Sequence, residues 1–373
     1  MGMIENLADR SRQVGGVKFE GARVNRQLIV AASQIPEPLP LLASDGAFWN
    51  SYLSECHEKG FGGSGFDLNC YFMTDLVVSG MGHLWLDGNI IVSDEVMRDY
   101  WRLSIPGLDL KRELALPVRQ IEAPCVVSIG WGSNSFGHVL TEMLPRLVIA
   151  KETAFASGCK VKYLLDRSTQ PWARNMISDS LGLSDDDLEY FDSNLEIVNL
   201  SRAIVPAFAI NSRLHPYNCA IFDQIRANMG VQNGLCLPRV FISRSMITRK
   251  NAVNLDRICE NEMEISAIAA GEFGFAVIAP ETFPWREQVR IFTNVKIVAG
   301  MFGSALHGTL FSDRGTRVGA IGPLNAMQSH IAAIRRQHNL YLSTGKEISG
   351  QRFVVDTEDF RRFANVLVRT TEA

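Results

Sequence analysis

The sequence contains no apolar run near the roughly 18 residues that a membrane-spanning helix needs. Its first residues, MGMIENLADRSRQVGG, carry no apolar core of a secretory signal, so none is expected. Cysteine is scarce: there are seven in 373 residues, scattered, with no CxxC and no Cys/His cluster. That usage argues against a disulfide scaffold and a zinc site. It predicts free thiols in a reducing compartment, the cytoplasm. An excess of one charge is lacking too. A net charge of −3 offers no electrostatic reason to expect nucleic acid or an anionic membrane as partner. No repeat of solenoid length and no low-complexity tract is present. No GxGxxG follows a predicted strand, which argues against a dinucleotide oxidoreductase.

What is present is a globular composition, 46% hydrophobic and 21% charged, in a chain long enough for two domains. Residues 1–120 read as β-rich. HLWLDGNIIVSD predicts a hairpin that turns at Asp87 and Gly88. KGFGGSGFD reads as a loop, without the spacing or following helix of a phosphate loop. From Ala123 onward strands alternate with helices, which predicts a parallel α/β sheet. The strands are APCVVSIGW, CKVKYLLD, LEIVNL and AIVPAFAI. The helices are GSNSFGHVLTEMLPRLVIAKETA, with apolar residues at helical spacing, then PWARNMISDSLGL and LHPYNCAIFDQIRANMGV. NGLCLP reads as a linker. A second series follows, with strands RVFISR, FAVIAP, VKIVAG and RVGAIG. Its helices are ENEMEISAIAAGEFG, WREQVRIFTN, SALHGTLFSDRG and AMQSHIAAIRRQHN, and TEDFRRFANVLVRT closes the chain. The expected domains are 1–230 (β-rich 1–120, α/β 121–230) and 237–350, with a terminal helix in 351–373. Ligands of such sheets bind beyond the carboxyl ends of the strands.

Several residues fall at those ends. VKIVAGMFGSALHGTLF predicts a strand that stops on Gly300 and a helix that starts near Ser304. Backbone N–H groups and the helix dipole there favour an anion such as phosphate. Gly300 and Gly303 would admit a ligand close to the backbone, and His307 would lie on the first helical turn. An ordinary tight turn with a satisfied histidine explains the same pattern. RVFISRSMITRKN delivers Arg244 directly after a strand, then Arg249 and Lys250 on a loop, and arginine's planar fork suits phosphate oxygens. A solvated basic loop is the alternative. Glu281 in APETFPWREQV stands where an acid accepts ribose hydroxyls, or where it complements a helix dipole; Glu287 has the same two readings.

In the first half His138 and Glu142 are four apart and share a helical face. A carboxylate beside a histidine orients the imidazole and raises its basicity, as a general base requires. A helix-capping histidine in a surface ion pair is the plainer explanation. Arg146 lies one turn further, and Pro145 predicts a kink or local break. SDDDLEY holds Asp185 and Asp187 in a DxD pattern. Ser184 reads as an N-cap with aspartates filling the first turn, so no metal is expected there.

Four blocks together resemble the glycosyltransferase 61 family, of capsular-polysaccharide type. They are NSFGHVLTEMLPRL, RVFISRSMITRKNAVN with NEMEI, GFAVIAPETFPWREQVRIF, and VAGMFGSALHGTLF, in order over roughly 125–315. The resemblance implies a GT-B fold of two Rossmann-like domains facing a cleft. It implies metal-independent, inverting transfer of a hexosyl or pentosyl group from a nucleotide sugar, UDP-linked, to a glycan or glycolipid in polysaccharide biosynthesis. Arg244 and Arg249, with the backbone around Gly303, Ser304 and Ala305, would neutralise the leaving diphosphate, and His307 would border it. Glu281 would hold the ribose, and His138, oriented by Glu142, would deprotonate the acceptor. No cofactor is implied. The terminal helix would return toward the first domain. A lipid-linked acceptor would bring the protein to the inner membrane's surface, and a homo-oligomer is compatible with the sequence. One departure stands out: relatives carry histidine where this chain has Phe302. Two rivals follow, a polysaccharide pyruvyl transferase and a catalytically weak binding subunit of a polysaccharide-assembly complex.

Overall fold

Short apolar runs bounded by turns form the strands of two sheets whose parallel parts carry the candidate residues. The computed structural model describes residues 3–4, 12–13, 23–35, 65–80, 82–91, 93, 95–97, 110–128, 130, 133–211, 213–231, 237–245, 258–322, 326–342, 346–349 and 352–369. The chain divides into two units, Met1–Ser33 with Gly65–Ile221, and Gln34–Ser64 with Phe222–Ala373. The helix Asn218–Met229 spans that division. Residues 59–64 of the loop read over 59–67, most of the NGLCLP linker, Arg249 and Lys250 lie outside the described residues.

The first unit contains two sheets. One holds β1 (Met3–Ile4), β5 (Leu76–Ser79), β6 (His83–Leu86), β7 (Asn89–Ile91), β8 (Val118–Ile121) and β12 (Ile197–Leu200), in spatial order β1-β7-β6-β5-β12-β8. Its β6–β7 hairpin turns at Asp87 and Gly88 as expected, with φ of 53° and 74°. Both values are positive, as the tightest hairpin turns require. The other sheet holds β2 (Arg12–Gln13), β3 (Val24–Val30), β4 (Leu68–Met73), β9 (Cys125–Val127), β10 (Lys162–Asp166), β11 (Leu188–Phe191) and β13 (Ala203–Pro206). Their order is β11-β10-β9-β13-β4-β3-β2. The neighbours β11, β10, β9 and β13 pair in parallel. Numbered along the chain, these four read 3-2-1-4, so the strand order reverses between β9 and β13. The strands' inward side chains, Leu164, Val127, Val205 and Tyr71 among them, form one apolar core.

Two expectations change here. Ile197–Leu200 joins the first sheet beside β5 and β8, not the parallel series. The third parallel strand is Leu188–Phe191, which follows a single 3₁₀ turn at Asp185–Asp187. Ser184 and Asp187 cap that turn reciprocally, with Ser184 N and Oγ donating to Asp187 at 2.9 and 2.8 Å. The turn closes after three residues, and the chain leaves it extended.

The second unit is built on β14 (Arg239–Ile242), β16 (Ala276–Ile278), β17 (Ile297–Met301), β18 (Arg317–Ile321) and β19 (His338–Leu342). All pair in parallel, in the order β16-β14-β17-β18-β19. Along the chain this reads 2-1-3-4-5, a doubly wound order that reverses between β14 and β17. A small sheet of β15 (Ile258–Cys259), β20 (Lys346–Ser349) and β21 (Arg352–Val354) lies in the same unit. The helix Glu262–Phe273 stops at Gly274, φ 68°, as the glycine predicts. The helix expected over residues 326–339 spans only Met327–Arg335; Arg336 caps it with φ 56°, and β19 follows. The terminal helix is Thr357–Arg369. It buries Phe360, Phe363, Ala364 and Leu367 in the second unit's core, because Phe241, Phe273 and Gly319 leave it an apolar seat. Among the described residues no helix is long and apolar enough to cross a membrane. None of the five described cysteines, Cys70, Cys125, Cys159, Cys219 and Cys259, is in a disulfide.

Candidate active site

The carboxyl edge of the second unit's sheet carries the donor-side candidates. Arg244 follows β14, Glu281 follows β16, and Gly303 and Ser304 follow β17, on three adjacent strands. Arg244 and Gly303 flank the reversal point, where doubly wound sheets open a crevice. There the Arg244 guanidinium donates through Nη1 to the carbonyl of Phe302 at 3.0 Å. A Cβ on Gly303 would lie 2.7 Å from the same nitrogen, so the missing side chain makes room for the arginine.

The backbone of Arg244 is also held. Glu262, in the first turn of the helix Glu262–Phe273 and 9% exposed, accepts hydrogen bonds from Arg244 N–H and, at 2.8 Å, from the Ser243 hydroxyl. Ser243 in turn pairs with Ser245 at 2.8 Å. A buried carboxylate needs such donors to offset its desolvation. Glu262 lies within one of the quoted blocks and received no role from the sequence. An acid in a helix's first turn reads as a dipole complement, and only the fold brings it under the end of β14.

Three expectations for this edge are corrected. The strand does not stop on Gly300; β17 runs on to Met301. Gly300 faces Ile242 in the ladder, and a Cβ there would lie 2.6 Å from the Ile242 carbonyl oxygen and 2.8 Å from its Cβ. The glycine therefore serves the close approach of two strands, not of a ligand. The segment after β17 is a 3₁₀ helix, Ser304–Phe311, not an α-helix. Its end is fastened by buried carboxamides: Gln337 Nε2 donates to the Thr309 carbonyl at 2.8 Å and Gln328 Nε2 to the Thr309 hydroxyl at 2.9 Å. Gly308 lies against Phe292, where a Cβ would come within 2.3 Å of the ring. The first intrahelical bond runs from Leu306 N to Gly303 O at 3.0 Å, a pattern that does not use the N–H groups of Ser304 and Ala305. With three residues per turn, His307 opens the second turn rather than lying on the first, in line above Ser304. His307 is half-buried, its ring 6.4 Å from that of Phe302. Phe302 itself is 2% exposed, and its carbonyl accepts from Arg244. Glu281 is exposed in the 3₁₀ turn Pro280–Thr282, and Glu287 pairs with Arg290.

In the first unit the helix after β9 runs through residues 136–156, with a π turn at Val139–Met143. Leu144 N–H bonds to the Val139 carbonyl, five residues back. Pro145 explains the irregularity: it has no N–H for the carbonyl of residue 141, and its ring would clash with that carbonyl in an α-helix. The expected local break is thus a widened turn. His138 Nδ1 lies 3.0 Å from Glu142 Oε1; the histidine side chain is 40% exposed and the carboxylate 14%. The predicted contact is formed, with the histidine facing outward and the carboxylate inward.

Arg146, which the sequence left without a role, fills the first unit's reversal point. It is 1% exposed, and its Nε donates to the Pro206 carbonyl at the end of β13 at 2.8 Å. Nη2 reaches the Val127 carbonyl at the end of β9 at 3.5 Å, and the guanidinium lies 4.2 Å over the Phe208 ring. Burial pushes its pKa down to about 10, and the Glu142 carboxylate opposes that shift. The cation therefore persists at neutral pH.

Among the described residues no group of three or more His, Cys, Asp or Glu side chains gathers as metal ligands. Asp187 of the DxD pattern is engaged with Ser184, whose hydrogen bonds hold its carboxyl below the usual range. No curated protein gives a significant match to the chain. Residues 136–319, from the helix start before His138 to the third residue of β18, match the family model Glycosyltransferase 61, and the chain belongs to that family of glycosyltransferases.

Proposed function

We propose that this glycosyltransferase is a metal-independent, inverting enzyme that takes its sugar from a nucleoside diphosphate donor, UDP-linked, and passes it to a glycan. In this reading the second domain, 237–350, binds the donor, the first, 1–230, binds the acceptor, and the two make a GT-B arrangement in polysaccharide synthesis. The observation that carries it is Arg244. A guanidinium clamped at the reversal point of a 2-1-3-4-5 sheet, with its backbone tied to Glu262 and its head to the Phe302 carbonyl, is preorganised for a diphosphate.

The chemistry follows from the parts. As the bond from the sugar's anomeric carbon to the diphosphate oxygen breaks, negative charge develops on that oxygen. Arg244 and the N–H groups of Ser304 and Ala305 would stabilise it. Arg249 adds a second cation in this proposal, Glu281 receives the ribose hydroxyls, and His307 borders the phosphates. The acceptor hydroxyl attacks from the opposite face and gives its proton to His138. Glu142 holds that imidazole with Nδ1 turned inward, leaving Nε2 to act as base. Direct displacement by the acceptor inverts the anomeric centre.

The test is thermal stabilisation by UDP, GDP, CMP, their sugar conjugates and phosphoenolpyruvate, without added metal. Stabilisation by one nucleoside diphosphate and its sugar, lost in Arg244→Ala, is expected. Stabilisation by phosphoenolpyruvate alone would point to pyruvyl transfer. No stabilisation by any of them would sink the donor site and favour a binding subunit.

A further inference from the structure

We infer that Phe136 and Trp172 form a stacking platform for a sugar ring of the acceptor, beside His138 in the first unit. The inference rests on the transferase reading above and adds the acceptor contact that it lacks. The two rings come from different loops. Phe136 opens the helix after β9, and Trp172 is the second residue of the helix Pro171–Leu181 after β10. The strands β9 and β10 are parallel neighbours, so both loops leave the same carboxyl edge. The Asn134 side-chain oxygen ties the loops by accepting from Gln170 N–H at 3.3 Å. The ring centroids are 5.9 Å apart with planes inclined at 40°.

Trp172 is 37% exposed, although tryptophan gains more from burial than almost any other side chain. Phe136, half-buried, packs against it at that distance. Exposed polar groups surround the pair: Asn134, Ser135 and Gln170. A pyranose has this same mixed character. Its C–H face is apolar and faintly positive, matching the negative face of an aromatic ring. Its rim of hydroxyls needs donors and acceptors, which those side chains supply. The platform also fits the chemistry. Phe136 and His138 share the first turn of that helix but point to different faces, so an oligosaccharide on the pair reaches the exposed imidazole with a neighbouring unit. A base needs its proton donor within hydrogen-bond reach.

The test uses the full chain on an array of pyranosyl oligosaccharides, with each hit confirmed in solution. The same samples are titrated with UDP. Trp172→Ala is expected to weaken glycan binding about fivefold or more, Trp172→Phe to retain most of it, and neither to change UDP binding. A 5-fluorotryptophan label, assigned by the signal missing in Trp172→Phe, is expected to shift at position 172 on glycan addition. That readout does not depend on how well the alanine variant folds. Equal glycan binding by Trp172→Ala with no shift at the label overturns the platform. So does a wild-type chain that binds no glycan, and so does loss of UDP binding in Trp172→Ala, which would make the rings part of the donor site. If the wild type binds glycan through Trp172 but not UDP, the platform stands and the donor reading falls.

Discussion

Arg244 donates to the main-chain carbonyl of Phe302, not to its side chain, at 3.0 Å. Any residue at 302 offers that carbonyl. The phenylalanine at 302 therefore supplies the contact that holds the arginine as well as another residue would. The adjacent glycine is the demanding position. In Gly303→Ala the new methyl meets the movable end of Arg244, and Gly303 has extended backbone, φ 171°, which alanine adopts without strain. Stability should hardly change, while UDP affinity falls about tenfold as the guanidinium is displaced. Calorimetric titration beside a thermal melt checks both halves.

Removing the proposed base should act on turnover rather than on donor binding. His138→Ala is expected to lower kcat about a hundredfold or more with UDP affinity intact. Glu142→Gln should cost less, because the amide oxygen can still accept from the ring's Nδ1–H. An unchanged rate in His138→Ala would remove the assignment.

Arg146 bridges the ends of β9 and β13 from within, and a lysine cannot reproduce its fork. Arg146→Lys should lose about 2 kcal/mol in urea unfolding, the worth of a hydrogen bond to a charged group. A variant as stable as the wild type would show that the bridge contributes nothing.

Stability should also fall on mild acidification, and His215 is one cause. It is fully buried, and its Nδ1 accepts from Tyr217 N–H at 3.0 Å. Burial lowers its pKa, against the opposing pull of the Phe66 backbone and Asp67. The folded protein thus keeps the ring neutral at pH values where the unfolded chain, near 6.5, takes up a proton. More protons on the unfolded state mean stability lost as pH falls below about 6.5. Urea midpoints compared between about pH 7.5 and 5.5 should drop less in His215→Gln than in the wild type.

Two glycines should respond in opposite directions. Gly300→Ala forces a methyl against the Ile242 backbone in a paired ladder and should cost about 1–3 kcal/mol. Gly271, inside the helix Glu262–Phe273, has open space where its Cβ would go. Gly271→Ala should therefore add about 0.5–1 kcal/mol. Melting temperatures of the two variants decide the matter.

These cases also show what a sequence exposes to reading. The Asp87–Gly88 hairpin, the helix stop at Gly274 and the His138–Glu142 contact are local, set by residues within a few positions of each other, and each is legible. Arg244 at a strand end is legible as well, since strand and arginine are adjacent. The purpose of Gly300 is not, because its reason is Ile242, on a strand laid down 58 residues earlier. Glu262 beneath Arg244 and Arg146 across β9 and β13 are likewise tertiary relationships. The 3₁₀ helix Ser304–Phe311 is fastened at Thr309 by Gln328 and Gln337, downstream amides that no helical periodicity reveals. β11 was missed because its capped turn imitates a helix start.

The π turn at Val139–Met143 has a consequence for how this helix tolerates change in length. A π turn holds one residue more than an α turn, so it behaves as a built-in insertion. Deleting Thr141 would remove that residue while Pro145 still bars regular winding, and would turn everything before it, buried Val139 and Leu140 included, by about 100° around the axis. His138 and the carboxylate of Glu142 would then be three apart, still on one helical face, while Val139 and Leu140 would leave their seats in the core. A one-residue indel at this point therefore costs the core more than it costs the pair.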